Sequence, residues 1–153
     1  MNKIYSLHTK QILPINLEQA WQFFSTPTNL AIITPPRMNF EILGSESSEK
    51  IFKGQIIQYK VTVLPFVRMF WETEIIEVNE LRSFTDVQKK GPYAHWQHQH
   101  IFAPVDGGVE MTDLLEYSVP YGLLGRLVNY SIIEREVRSI FDYRYKVLEK
   151  RFK

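Results

Sequence analysis

The residues best suited to chemistry lie on one predicted strand, within the stretch G-P-Y-A-H-W-Q-H-Q-H-I-F at positions 91–102. Side chains of a strand point alternately to its two faces, so Trp96, His98, His100 and Phe102 share one face. A face bounded by large aromatic side chains is usually the inner one, which places two imidazoles where water is scarce. Imidazoles exchange protons near neutral pH and bind metal ions. The strand therefore predicts a buried polar centre.

Neighbouring predicted strands carry further polar side chains on their inward faces. With an adjoining tyrosine and tryptophan, these side chains form the candidate ligand-binding set: Asp86, Gln88, Tyr93, Trp96, His98, His100, Asp113 and Tyr117. A buried polar group costs roughly 1–3 kcal/mol when unpaired, so these groups must pair with one another, with water or with a ligand. Two interpretations follow. The set is either a hydrogen-bonded network that ties core strands together or a patch that recognises the polar group of a bound molecule.

Charge and composition argue against several classes of protein. The 153 residues include 18 Lys and Arg and 17 Asp and Glu, a net charge of +1, whereas a nucleic-acid-binding domain carries a basic surface. The absence of cysteine excludes disulfides, thiolate catalysis and cysteine-ligated metal. The N-terminus has no long apolar run, so we expect no signal peptide, no membrane span and a cytoplasmic location. The length predicts one domain over residues 1–153.

Patterns along the chain indicate which elements position the polar centre. A strand is predicted over residues 3–13, followed by a helix whose start carries the capping-box pair Asn16 and Gln19. A second short helix is predicted over residues 28–33, and six strands follow. This order favours an antiparallel sheet with helices on one face, an α+β domain.

The last predicted element is one long helix, about 40 Å in length if it is continuous at about 1.5 Å per residue. Its apolar residues recur mainly at spacings of three, four and seven, which is typical of a helical stripe facing a core. The predicted stripe comprises Leu124, Leu127, Ile133, Val137, Ile140, Phe141, Leu148 and Phe152.

Three stretches of the chain resemble the START-like, or Bet v 1-like, superfamily, also called SRPBCC. They are L-P-I-N-L-E-Q-A-W-Q-F-F-S-T-P-T-N-L-A-I-I-T-P-P, F-T-D-V-Q-K-K-G-P-Y-A-H-W-Q-H-Q-H-I-F and D-G-G-V-E-M-T-D-L-L-E-Y-S-V-P-Y-G. The middle stretch is similar to a bacterial subfamily of uncharacterised ligand-binding proteins. The resemblance implies the helix-grip fold: a seven-stranded antiparallel sheet wrapped around a long C-terminal helix, with two short helices after the first strand. It also implies an elongated cavity between sheet and helix.

The superfamily includes lipid carriers, hormone receptors, polyketide cyclases and oxygenase domains, so the fold alone does not decide the function. Our first hypothesis is binding of a small, largely hydrophobic molecule (lipid-, polyketide- or aromatic-like) in the internal cavity, as a carrier or a sensor. The alternative is a cyclase- or hydrolase-type enzyme that uses a His-Asp pair for acid-base chemistry. A second alternative is a protein-interaction or chaperone-like domain, for which the apolar turn at residues 64–66 is the only sequence hint.

A metal site is a further hypothesis at His98 and His100, because this spacing occurs in metal-binding β-barrels. Asp86 or Asp113 would supply an oxygen ligand. The helix-grip order of elements does not match a metal-binding barrel, and the chain has neither a phosphate loop nor a dinucleotide fingerprint. We therefore predict no metal and no cofactor, and we expect a small hydrophobic ligand as the partner.

Overall fold

The seven strands of the protein form one antiparallel sheet in the computed structural model, which describes residues 2–44, 50–64 and 66–153. The strands are β1 (Tyr5–Leu13), β2 (Glu41–Leu43), β3 (Ile56–Leu64), β4 (Val67–Asn79), β5 (Ser83–Lys90), β6 (His95–Val105) and β7 (Gly108–Ser118). Their order across the sheet is β1-β7-β6-β5-β4-β3-β2. The first and last strands are thus neighbours, and the predicted α+β fold class is confirmed.

The helices also follow the predicted order. They are α1 (Leu17–Phe24), two 3-10 turns at Pro27–Ala31 and Pro36–Met38, α2 (Gly122–Val128), a π-helical turn at Asn129–Ile133, and α3 (Glu134–Arg151). At the start of α1 the Gln19 N–H donates to the Asn16 side chain over 2.8 Å, and the Asn16 N–H donates to the Gln19 side chain over 3.1 Å. This confirms the predicted capping box. The second short helix is a 3-10 turn.

The last helix packs against the concave face of the sheet at two places. Near its C-terminal end, Leu148 lies in a buried cluster with Trp21 and Phe84. Near its N-terminal end, Val137 and Phe141 pack in a second buried cluster. Burial of these side chains contributes on the order of 1.5–3 kcal/mol each, which holds the helix along the sheet.

The predicted apolar stripe is wrong at its first two positions. Leu124 and Leu127 are 65% and 69% exposed. Leu127 precedes Ile133 by six residues, a spacing that matches none of the three, four or seven of a helical stripe, and the π-helical turn at Asn129–Ile133 lies between the two. Gly125 is buried instead, because the helix approaches the preceding backbone so closely that a Cβ there would lie 2.0 Å from the Pro120 carbonyl oxygen.

Several apolar side chains are exposed at the ends of elements. Of the apolar turn at residues 64–66, Pro65 lies outside the described residues, and Phe66 is exposed with a positive φ of 66°. Tyr121, Leu123 and Tyr130 are exposed around α2. The exposed apolar surface is therefore larger than the sequence hint suggested. None of the helices in the described parts of the chain has the length and hydropathy needed to cross a membrane.

Candidate functional site

A cavity of about 180 Å³ lies between the concave face of the sheet, the segment after α1 and helix α3. Most of its wall is aromatic or aliphatic, with Tyr59 and Trp71 on the sheet and Ile140 on the helix. A smaller part of the wall is polar and comprises Asp86, His98, His100, Glu136 and Arg144, with a few side-chain hydroxyls and amides. The cavity therefore combines an apolar volume with a cluster of ionisable groups.

The ionisable groups of the sheet belong to a polar belt that crosses five adjacent strands. Each side chain of the belt lies within 3.4 Å of another member, and these contacts run from β1 through β7, β6 and β5 to β4. The belt consists of Thr9, Asp113, His98, His100, Asp86 and Thr73. It runs across the middle of the concave face, where α3 covers the sheet.

Two His-Asp pairs form the centre of the belt, and both are diagonal. His98 Nε2 lies 2.8 Å from Asp113 Oδ1, and His100 Nε2 lies 2.9 Å from Asp86 Oδ2. In the strand register, however, His98 is directly opposite Asp86, and His100 is directly opposite Asp113. Diagonal neighbours are within reach of long side chains. The two imidazoles, whose ring centroids are 3.8 Å apart, therefore use separate carboxylates on opposite sides of β6.

Threonines at the two ends of the belt contact the carboxylates. Thr9 Oγ1 lies 3.4 Å from Asp113 Oδ2, and Thr73 Oγ1 lies 3.4 Å from Asp86 Oδ1. The Thr73 hydroxyl also donates to the Val87 carbonyl oxygen over 2.9 Å. Each carboxylate thus contacts one imidazole closely and one hydroxyl more loosely.

A buried arginine on α3 faces one end of the belt. Arg144 is only 7% exposed, and its Nη2 lies 3.3 Å from Asp113 Oδ1. Its guanidinium also lies 5.4 Å from the Phe24 ring centroid and 5.9 Å from that of Phe141. Sequence reasoning missed this residue. The available signal was its position three residues after Phe141 and four before Leu148, which puts a charge on the apolar stripe.

The two carboxyl groups have opposite shifts in pKa. Burial raises the pKa of Asp86, and the partial compensation by His98 and the Thr73 hydrogen bond does not reverse that shift. Burial also acts to raise the pKa of Asp113, but the Arg144 guanidinium and the His98 hydrogen bond lower it well below its usual range. For His100, burial and then the neighbouring His98 hold the pKa well below its usual value. The charged form is therefore favoured at Asp113 and disfavoured at Asp86 and His100.

No known family profile matches the sequence, and none of the curated proteins is similar to it. Solved structures match over nearly their whole length. Protein CV1439 from Chromobacterium violaceum is 11% identical with a TM-score of 0.71, and the alignment covers 96% of each chain. A second match is a norcoclaurine synthase point mutant from Thalictrum flavum in complex with a transition-state analogue. It is 14% identical with a TM-score of 0.67, and the alignment covers 100% of this chain and 99% of that one. Ara h 8.0201 is 12% identical with a TM-score of 0.64 and 98% coverage of both chains.

The fold is Bet v 1-like. The fold that the sequence resemblance implied is thus confirmed. At these identities the similarity carries no information about ligand or reaction, so the function must be argued from the side chains of this Bet v 1-like domain.

The structure places the eight candidate residues in four kinds of position. Asp86, Tyr93, Trp96, His98 and His100 line the cavity, and Asp113 contacts both imidazoles. The Gln88 side chain donates to the Tyr93 carbonyl oxygen over 2.8 Å and accepts from its N–H over 3.1 Å, which closes the turn before β6. Tyr117 stacks on Tyr5 with a centroid distance of 5.4 Å. Thr9, Thr73 and Arg144 join the site in addition.

The imidazoles and one carboxylate are close enough for metal ligation. One ligand atom from each of Asp86, His98 and His100 lies within 4.8 Å of the others. Two features oppose a cation at this position. Each imidazole Nε2 already contacts a carboxylate, and the Arg144 guanidinium places a positive charge beside Asp113. The donor set therefore fits an internal hydrogen-bond network better than a metal centre.

Proposed function

We propose that this Bet v 1-like domain binds a small, largely apolar molecule in its internal cavity, as a carrier or a sensor. The observation that carries this proposal is the cavity itself, about 180 Å³ with mostly aromatic and aliphatic walls. An apolar cavity of about 150 Å³ is large enough to hold a benzene molecule. A ligand with one aromatic ring or a short aliphatic chain therefore suits this volume.

The wall is suited to such a ligand because flat aromatic surfaces surround the apolar part. Trp71 contacts Tyr59, Tyr93 and Trp96, with ring centroids 5.2–5.7 Å apart. Aromatic pairs of this kind are held rigidly by their mutual packing, so little conformational entropy is lost when a ligand binds. The polar belt borders the same cavity and offers hydrogen bonds to one end of the ligand.

Native mass spectrometry of freshly purified protein, with metal analysis of the same sample, tests the proposal. We expect an adduct of a few hundred daltons at most, or binding of an added small aromatic such as indole, and no stoichiometric metal. A stoichiometric metal that dissociates on mutation of His98 or His100 would instead assign the belt to metal binding.

Blocking the cavity provides a matched test of where the ligand lies. Ile140→Trp fills the cavity wall on α3, whereas Ile132→Trp makes the same substitution at a side chain that is 47% exposed in the same helical run. Indole affinity should fall at least about tenfold in the first variant and stay unchanged in the second. Equal affinities in both variants would place binding outside the cavity and contradict the proposal.

A second candidate is an enzyme that uses the belt for acid-base chemistry. The observation in its favour is the 2.8 Å contact between His98 Nε2 and Asp113 Oδ1 in a buried setting, since a carboxylate can orient an imidazole for proton transfer. The test is incubation of the protein with its copurified ligand. A change in ligand mass that is lost in His98→Gln would support catalysis, and an unchanged mass supports a carrier.

A further inference from the structure

The buried guanidinium of Arg144 has fewer acceptors than donors. An arginine side chain carries five N–H donors. Its Nη2 lies 3.3 Å from Asp113 Oδ1 and 4.0 Å from Met111 Sδ, while its buried Nε has no hydrogen-bond partner among the described residues. An unmet donor of a charged group is costly inside a protein, so this site requires another acceptor.

A second unmet group lies beside the same carboxylate. His100 is 6% exposed, and its Nδ1 lies 3.4 Å from Asp113 Oδ1 but outside hydrogen-bonding geometry. Arg144 and His100 both line the cavity. The oxygen Asp113 Oδ1 already accepts from His98 at 2.8 Å, so it cannot also satisfy both neighbours well. Two buried polar nitrogens at one end of the cavity therefore lack a good partner within the described chain.

We propose that the ligand carries a carboxylate, which binds between Arg144 and His100 at the polar end of the cavity. This inference rests on the proposed ligand-binding function and specifies its chemical class. A guanidinium presents paired N–H groups that match the two oxygens of a carboxylate, and such charge-assisted bonds are about twice as strong as neutral ones. The ligand is thus a small carboxylic acid with an apolar tail.

The charged groups around the two nitrogens leave donors of the Arg144 guanidinium available to an anionic group. The Arg144 charge is compensated by one carboxylate oxygen that it shares with two imidazoles. The nearest other carboxyl group, Asp86, contacts the opposite ring nitrogen of His100, Nε2, over 2.9 Å, and burial raises its pKa. Glu136, which also lines the cavity, is engaged by Arg37 over 2.6 Å. The tail would lie along the aromatic wall, and the volume limits it to about one ring and a short linker.

Calorimetry with a matched pair of ligands tests this inference. The probes are 3-phenylpropanoate and 3-phenylpropanamide, which have nearly the same shape and differ in charge. We expect the wild-type protein to bind the acid at least about tenfold more tightly than the amide. Arg144→Met should reduce this ratio to about one, while Arg135→Met, at an exposed arginine of the same helix, should leave it unchanged.

The outcomes separate this inference from the proposed function. Equal binding of acid and amide by the wild type, or binding of indole without the acid, would overturn the carboxylate assignment and leave cavity binding intact. Binding of no probe would contradict both. If Arg144→Met does not fold, the double variant Arg144→Met/Asp113→Asn removes both charges together, and the acid-to-amide ratio is measured there. A ratio that stays near the wild-type value in that variant would also overturn the assignment.

Discussion

The two His-Asp pairs of the concave face have the same residue types and nearly the same distances, yet the pKa values of their carboxyl groups are shifted in opposite directions. His98 with Asp113 and His100 with Asp86 are both diagonal pairs of 2.8–2.9 Å between β6 and a neighbouring strand. Burial acts to raise the pKa of both carboxyl groups, and for Asp86 it prevails. Only Asp113 lies within 4 Å of Arg144, and its pKa is lowered overall.

This comparison shows that one side chain from the helix sets the chemistry of one half of the belt. The strand register makes the two pairs equivalent, whereas α3 places its guanidinium on the β7 side. The Asp113 carboxylate is therefore charged and already paired with His98 and Arg144. On the Asp86 side, burial raises the pKa of the carboxyl group and lowers that of the imidazole, so the charged form of each is disfavoured.

The largest expected effect comes from neutralising each carboxyl group in turn. Asp113→Asn should lower the free energy of unfolding at pH 7 by about 3–5 kcal/mol, because it leaves Arg144 buried without its charge partner. Asp86→Asn should lower the free energy of unfolding only slightly, or raise it, since burial disfavours the charge that this substitution removes. Urea unfolding at pH 7 measures both. Equal losses in the two variants would mean that the pairs are equivalent after all.

A double-mutant cycle sharpens the same comparison by removing the helix charge. Arg144→Met should bring the pKa of Asp113 upward and make the two pairs alike. The double variant Arg144→Met/Asp113→Asn should lose less unfolding free energy than the two single variants together. The difference, the coupling energy, should be about 1–3 kcal/mol. The same cycle between Arg144→Met and Asp86→Asn should give a smaller coupling, because Asp86 lies farther from the guanidinium. A larger coupling at Asp86 would contradict the assignment of Arg144 to the β7 side.

The pH dependence of stability should have opposite signs for the two carboxyl groups. Asp113 has a lowered pKa in the folded state, so its contribution is present above the unfolded value of about 3.9 and is lost as the pH falls toward the folded value. Asp86 has a raised pKa, so its contribution is present at low pH and is lost as the pH rises through the folded value. The difference between wild type and Asp113→Asn should therefore shrink in acid.

Unfolding curves would measure these slopes. The range from pH 3 to pH 7 is suitable because it spans roughly the unfolded carboxyl pKa and neutrality. In this comparison Asp86→Asn should gain stability relative to the wild type as the pH rises. His100 adds a third slope. Because its pKa is lowered in the folded state, its contribution to stability falls as the pH drops below the unfolded-state pKa of about 6.5. The variant His100→Gln should remove that slope and serves as the control.

The smallest expected effects concern the threonines at the two ends of the belt. Thr73→Val removes a hydroxyl that bonds the Val87 carbonyl oxygen over 2.9 Å, so it should cost about 0.5–1.5 kcal/mol. Thr9→Val removes only the 3.4 Å contact to Asp113, so its cost should be lower. Thermal unfolding of the two variants tests the order. A larger cost for Thr9→Val would show that the charged half of the belt depends on its hydroxyl.

Much of this architecture was predictable from local patterns. The alternation around Trp96 and His98 placed both imidazoles on the inward face, and the capping box at Asn16 marked the start of α1. Both signals depend on residues that are close in sequence, where the period of a strand or the geometry of a helix end applies directly. The order of elements and the family resemblance together led to the helix-grip fold.

The failures of prediction occurred where a distant element decides the outcome. Leu124 and Leu127 have apolar side chains at plausible spacings, but the six-residue step to Ile133 takes them off the face that α3 buries. The burial of these side chains depends on how the last helix packs on the sheet, which a local sequence pattern does not describe.

By itself the sequence determined the strand periodicity, the cap at the start of α1 and the presence of polar groups on an inward face. The tertiary structure alone decided which imidazole pairs with which carboxylate, because strands that are distant in sequence must first be brought into register. It also decided that Arg144 lies over Asp113 and not over Asp86. The position of that one charge, set by how α3 packs on the sheet, is the physical reason why two matching His-Asp pairs have different chemistry.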